Sequence, residues 1–380
     1  MTTQQRYATP VEPSEWIIPS RFDSLMRWEY EDGRESLLKL YEKGKERQWN
    51  GNTRIDWSLE LDPENPQQLP DEQVSIFGSD VWNRMTPAER ANLRRHLQAQ
   101  QLSQFMHGEQ GALLCAAKIV QQVPSADAKF YAATQVMDEA RHVEAFGRFV
   151  NEKLDLAYPI NRHLATLLDQ TISDSRWDFT YLGMQMMIEG VALAAFSMVR
   201  DFSQHPLPRS LNAYVMRDEA RHVAFGLLAL QDAYADLTEA ERDEREEFVV
   251  EASYLLRDRF LGEEVWDRLD LDTSECIRYV EQAQIMGAFR QALFARVVPN
   301  VKRIGLWGPK VQRAFEDMGV IGYQTLEPDE LFANDERVAD DLEQAIAQRR
   351  ELDPDDPAPA PAPSSRAGEL AEAIVAGEQD

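Results

Sequence analysis

Two stretches of the chain, Asp138-Glu139-Ala140-Arg141-His142-Val143 and Asp218-Glu219-Ala220-Arg221-His222-Val223, are identical over six residues and stand eighty positions apart. The chain therefore carries an internal repeat. Thirty residues before Glu139 is Glu109, and thirty before Glu219 is Glu189, each in an apolar setting, Met106 to Leu113 and Met186 to Leu193. Within each Glu-x-x-His unit the two side chains are three apart and share one helix face. Four glutamates buried together need compensating positive charge. Four carboxylates and two imidazoles would neutralise and ligate two divalent cations, one histidine to each. Mixed oxygen and nitrogen donors suit iron or manganese better than structural zinc or magnesium.

A single Glu-x-x-His on a helix is usually a solvated pair. Two identical copies at equal offset from two further glutamates favour the metal reading, with Glu109, Glu139, His142, Glu189, Glu219 and His222 as ligands. Asp138 and Asp218 each precede a ligand glutamate, and a carboxylate behind a ligand imidazole fixes its tautomer. Two arrangements are open: cross-pairing, Asp138 with His222 and Asp218 with His142, or local salt bridges to Arg141 and Arg221.

Helices must position these residues. Pro124 lies midway between Glu109 and Glu139, so a chain reversing there returns each glutamate to one level along arms of about 22 Å. The midpoint of the second pair falls at Gln204, inside the breaker-rich stretch Gln204-His205-Pro206-Leu207-Pro208. Thr86-Pro87-Ala88-Glu89 reads as a capping box with proline at the first helical position, opening a helix that runs towards Pro124. Ser125 can cap a second helix to about Leu156. Leu164 to Ser203 reads as a third, with a break near Ser173 to Ser175, and Leu211 to Ala235 as a fourth. The fold class expected is all-α, a four-helix bundle over residues 81–236. Residues 1–80 read as an N-terminal arm with one helix near Glu35 to Arg47. Residues 237–350 read as additional packing helices, one from a second capping box at Thr238 to Glu241 and one from Cys276 to Val298. Residues 351–380 hold eight acids against one arginine, with five prolines between Pro354 and Pro363. They read as a disordered tail ending in a short amphipathic stripe of Ala367, Leu370, Ala371, Ile374 and Val375.

Composition narrows the function classes. With 43% hydrophobic and 28% charged residues, the chain can build a core. Forty basic against sixty-six acidic residues, a net charge of −26, disfavours phosphate backbones and anionic membrane surfaces. Neither nucleic acid nor membrane is expected as a partner. The N-terminus has no apolar leader core, and Glu189 interrupts the longest apolar run, between Met184 and Val199. Two cysteines, Cys115 and Cys276, are too few for a disulfide framework, so the expected location is the cytoplasm.

Through Glu109, Glu139-x-x-His142, Glu189 and Glu219-x-x-His222, the chain resembles the ferritin-like non-heme diiron carboxylate superfamily over residues 86–235. The resemblance implies two iron ions, with manganese and iron as the alternative, and dioxygen as co-substrate. It also implies oxidation of a small apolar or aromatic substrate by hydroxylation, N-oxygenation or desaturation. Further implied are an external reductase or ferredoxin and a homodimer. Three subfamily markers are missing. Phe146 stands where the ribonucleotide reductase small subunit carries a radical tyrosine, and Leu193 where hydrocarbon monooxygenases carry a threonine. Val215 stands where arylamine N-oxygenases carry a further histidine ligand. Other readings are a radical subunit docking a larger chain through the acidic tail, and a ferritin-like iron store.

One turn from the ligands stand Phe105, Met106, Phe146, Met186, Leu193, Phe196 and Met216, an apolar set expected to line a substrate pocket. Gln135 and Gln185 are its polar exceptions. His107 and Cys115 receive no role.

Overall fold

A computed structural model describes residues 7–9, 16–26 and 34–352. The acidic tail beyond Leu352, with the stripe from Ala367 to Val375, lies outside the described residues. Among these the regular structure is helical, with one isolated bridge between Tyr7 and Ala157.

Helix α1, Glu35–Glu46, precedes the bundle and packs on two of its members. Helix α2, Pro87–Gln122, opens on the expected box: the Thr86 hydroxyl accepts from the Glu89 amide at 3.3 Å, and the Glu89 carboxylate accepts from the Thr86 amide at 2.7 Å. The chain turns at Pro124, and the Ser125 hydroxyl accepts from the Ala128 amide to start α3, Ala126–Arg148. The last turns of this rod widen into a π-helix, Phe149–Leu154, closed by Asp155 at φ 46°.

The third helical stretch, Leu164 to Ser203, is interrupted close to the expected break at Ser173 to Ser175 and forms two helices. Helix α4, Arg162–Ser173, ends at extended Asp174, and α5, Trp177–Phe202, carries Glu189. Within α5, Leu182–Ile188 is π-helical and leads directly into Glu189. Helix α6, Pro206–Ala233, starts five residues earlier than expected, because its first-turn amides need no helical partner and proline fits there. The His205 Nδ1 caps it, accepting from the Leu207 amide at 3.2 Å.

Helices α2 with α3 and α5 with α6 form two hairpins that meet in one continuous hydrophobic core. Helix α5 is long and apolar enough to span a membrane, yet 83% of its most apolar window is buried inside the fold. Its backbone approaches neighbours closely at Gly183, against Thr171, and its Gln185 abuts Gly226 of α6.

Outside the bundle, α7, Glu239–Asp258, starts on the second capping box at Thr238. The one helix expected from Cys276 to Val298 is broken at extended Ala283 into α8, Thr273–Gln282, and α9, Gln284–Leu293. Helices α10, Val297–Arg303, α11, Pro309–Asp317, and α12, Pro328–Leu352, follow.

Candidate metal centre

The four bundle helices bring their polar residues to one level inside the apolar core. Glu109 on α2, Glu139 and His142 on α3, Glu189 on α5, and Glu219 and His222 on α6 are all 5% exposed or less. They form two overlapping clusters, Glu109, Glu139, His142 and Glu219, and Glu139, Glu189, Glu219 and His222. In each cluster the donor atoms lie within 4.8 Å of one another. Glu139 and Glu219 belong to both.

His142 Nδ1 stands 3.1 Å from Glu219, 3.2 Å from Glu109 and 3.3 Å from Glu139. His222 Nδ1 stands 3.1 Å from Glu139 and 3.5 Å from Glu219. Both rings therefore turn one nitrogen into the cage. Their other nitrogens face the aspartates crosswise: His142 Nε2 is 3.2 Å from Asp218, and His222 Nε2 is 3.3 Å from Asp138. Local pairing is present as well, with Arg141 donating to Asp138 at 2.5 Å and Arg221 to Asp218 at 2.6 Å. Arg141 also reaches Asp218 at 2.8 Å, so the two arrangements coexist as one network.

Residues just after α1 complete this network, although sequence reasoning did not find them. The Trp49 indole N–H donates to Asp218 at 2.7 Å, and the Gln48 amide donates to Asp138 at 2.8 Å. Trp49 stacks on Tyr214 with ring centres 4.9 Å apart. The only signal for them in the sequence is the number of tryptophans in the arm, Trp16, Trp28, Trp49 and Trp57.

Gln135, one turn before Glu139, donates to Glu139 at 3.0 Å and to Glu189 at 2.9 Å, and accepts from Gln185 at 3.3 Å. Its counterpart in the repeat is Val215, which is fully buried and apolar.

The charges are arranged as a cage awaiting cations would require. Burial and the neighbouring Glu219 push Glu109 and Glu189 well above the usual carboxylate range. Burial would also raise Glu139, but the His222 charge and both imidazole contacts hold it below. Burial opposes charge on both histidines, and the surrounding glutamates outweigh it and raise them. Glu139 Oε2, Glu189 Oε2, Glu219 Oε1 and His222 Nδ1 are buried with no hydrogen-bond partner. Such orphaned donor atoms, converging from three helices, fit a pair of metal ions.

A small cavity of about 30 Å³ touches the cage on the α2 and α5 side, where Glu109, Glu189 and Glu219 line it. Of the expected pocket set, Phe105 and Phe196 line this cavity, and Met106, Phe146, Met186, Leu193 and Met216 do not. The reason is the one-sided opening. Phe146 is packed against Phe105 and Phe196, Met186 lies against Gly226, and Met216 is engaged by Arg200. Met184, Ile188 and Ala192 of α5 line the cavity instead, together with Arg259 and Phe260 from the end of α7. Four of these residues, Gln104, Phe105, Arg259 and Phe260, also line an outer cleft of about 130 Å³.

Comparison with known proteins agrees with this geometry. Residues 31–305 match the family described as P-aminobenzoate N-oxygenase AurF. The chain belongs to this family. It is therefore an oxidoreductase of the diiron oxygenase type, built on the ferritin-like fold. Val215, in place of a further histidine, does not remove it from this family. Among solved structures, the chain is similar to an R2-like ligand-binding oxidase with aerobically reconstituted Mn/Fe cofactor, at 18% identity and a TM-score of 0.43, over 70% of this chain and 98% of that one. It is also similar to the same kind of oxidase after photoconversion, at 17% identity and 0.47, over 74% and 100%. No curated protein matches.

Proposed function

We propose that Glu109, Glu139, His142, Glu189, Glu219 and His222 hold two iron ions, or one manganese and one iron, and that the chain uses dioxygen to oxidise a small aromatic amine. The observation that carries this reading is the pair of overlapping buried clusters, open on one side to a cavity that shares Gln104, Phe105, Arg259 and Phe260 with an outer cleft. The metals supply the reduction of dioxygen.

The chain's own groups do the rest. The glutamates neutralise the ions, and Asp138 and Asp218 hold the imidazoles in the tautomer that presents Nδ1 to the cage. The inner cavity has room for a molecule the size of dioxygen. The outer cleft is close to the volume that holds a single aromatic ring, about 150 Å³ in an apolar cavity. Phe105 at their junction keeps bulk water from the cage. An external reductase or ferredoxin returns the metals to the reduced state, and a second copy of the chain completes a dimer in the cytoplasm.

Anaerobic titration with ferrous iron, followed by rapid mixing with dioxygen, tests the reading. Two ions per chain, a transient visible absorbance and oxidation of p-aminobenzoate or a related arylamine are expected. Absence of stoichiometric binding, or slow deposition of ferric mineral without a transient, would overturn it.

A further inference from the structure

Helices α2 and α3 turn towards solvent an outer face that carries no charge. Between Met106 and Gln121 on α2 and between Phe130 and Val143 on α3, the acids and bases are Glu109, Lys118, Asp138, Glu139 and Arg141, and each of these side chains is buried. The large side chains that point outward are apolar: Leu114 is 51% exposed, Met137 61% and Phe130 39%. Ala133 and Ala140 are exposed between them. Leu114 stands ten residues before Pro124 and Thr134 ten after it, so Leu114 lies within one turn of the level of Met137.

The internal repeat supplies the comparison. Eighty positions on, Ala133, Met137 and Ala140 become Ala213, Arg217 and Ala220, all 6% exposed or less, on α6, against which α12 packs. Leu114 becomes Ala194, on the part of α5 against which α9 packs. The later helices of the chain thus close the outer face of the second hairpin. No described element covers Leu114 or Met137 on the first, although its outer face is the more apolar of the two.

A contiguous apolar face of this size marks an interaction surface. It extends onto α1 through Leu38, 37% exposed and one turn before Tyr41, whose ring packs 5.9 Å from that of Phe130. Three helices, each about 10 Å wide, over about 22 Å of length give a footprint of about 650 Å², the scale of one side of a standard interface. An electron donor docks and leaves at every turnover, and such encounters use small, charged surfaces. An anionic bilayer is repelled by the net charge of −26. A second copy meets the requirement. An uncharged face is complementary to itself about a twofold axis, and contact there adds no like-charge pair to the repulsion between two acidic chains. We infer that two copies of this chain join through the outer face of α2 and α3, with Leu114 and Met137 at the centre of the interface. The ion pairs of α1, Lys39 with Glu35 and Lys45 with Glu42, form its polar rim. This gives a surface to the dimer of the reading above and rests on that dimer, not on the chemistry.

Sedimentation velocity on the full, iron-loaded chain over a range of concentrations tests this. The wild type is expected to run at twice the chain mass. L114E and M137E are each expected to raise the dimer dissociation constant at least about 100-fold, because the twofold buries a carboxylate from each copy among apolar side chains. F202E puts the same charge on an exposed residue at the end of α5 and is expected to leave the dimer intact. Near-UV circular dichroism checks that each variant keeps the native packing. If a glutamate variant does not, M137C carries the test: a flexible bismaleimide is expected to join two chains through it, while the native Cys115 and Cys276 are buried and do not react. A monomeric wild type would overturn the inference and the dimer together, leaving the acidic tail or another protein to cover the face. A wild-type dimer that L114E and M137E leave intact, or M137C chains that the reagent does not join, would overturn the face alone. Iron stoichiometry and dioxygen uptake of the same preparations read the oxygenase function separately.

Discussion

Asp218 is the neighbour of Glu219 in the chain, yet its carboxylate serves the other hairpin, with Oδ2 3.2 Å from His142 Nε2. The same oxygen accepts from the Trp49 indole and from Arg141, and Arg221 holds the second oxygen. Burial would raise this acid, and the Arg221 and His142 charges hold it well below the usual range. D218N is therefore expected to leave two buried guanidiniums short of charge and to weaken iron binding about 10- to 100-fold. W49F removes one donor only and is expected to cost about 1–3 kcal/mol of stability with both ions still bound. Iron titration and denaturant unfolding of the two variants check this, and equal iron affinity in D218N would count against the tautomer role.

Because Glu139 and Glu219 belong to both clusters while Glu109 and Glu189 belong to one each, their variants should differ in stoichiometry rather than in degree. E109A and E189A are each expected to retain about one ion per chain, and E139A and E219A neither, by the loss of a shared ligand. Elemental analysis after gel filtration gives the answer directly. Loss of both ions in all four would mean that the clusters act as one.

His96 gives a pH dependence away from the metals. It is buried on α2 with Nδ1 2.7 Å from the Tyr158 hydroxyl, and burial, with the Arg268 and Arg95 charges, lowers its pKa from 6.5 to about 4. Between these values the unfolded chain binds the proton and the folded chain does not. This contribution to stability is therefore complete above pH 6.5 and lost as the pH falls towards 4. Urea midpoints at pH 7 and pH 5 should drop more for the wild type than for H96Q. Parallel drops would assign the acid sensitivity elsewhere.

Two glycines set how closely α5 approaches its neighbours. A β-carbon on Gly226 would stand 2.5 Å from that of Gln185, and one on Gly183 would collide with Thr171. G226A and G183A are each expected to cost about 1–3 kcal/mol, as overpacking does. G108A, where a β-carbon meets nothing within 4 Å, should be neutral or gain up to about 1 kcal/mol of helix propensity. Thermal unfolding ranks the three, and a harmless G226A would show that Gln185 can move aside.

Much of this was legible because it is local or periodic. The boxes at Thr86 and Thr238 announce helix starts within four residues, and the equal thirty-residue offsets from Glu109 to Glu139 and from Glu189 to Glu219, each with breakers at its midpoint, place the four at one height. What was not legible depends on contacts across the chain. Nothing in the apolar run before Glu189 distinguishes a π-helix from an α-helix, since both bury the same side chains. Gln48 and Trp49 reach aspartates 90 and 169 residues away. Arg259 looks like any helix-end arginine until the fold turns it inward. Five of the seven pocket residues expected, Phe146 and Met216 among them, lie outside the inner cavity, because the glutamate spacing locates the cage but cannot tell which of its sides is filled.

The six-residue repeat suggests two equal compartments, and one side chain breaks the equality. The Gln135 amide binds the carboxylates of Glu139 and Glu189, while Val215, its mate under the repeat's approximate twofold, offers the other side nothing polar. An identical motif has thus been given two unequal surroundings. The cage is graded rather than symmetric, and below one equivalent of metal its two halves compete on different terms.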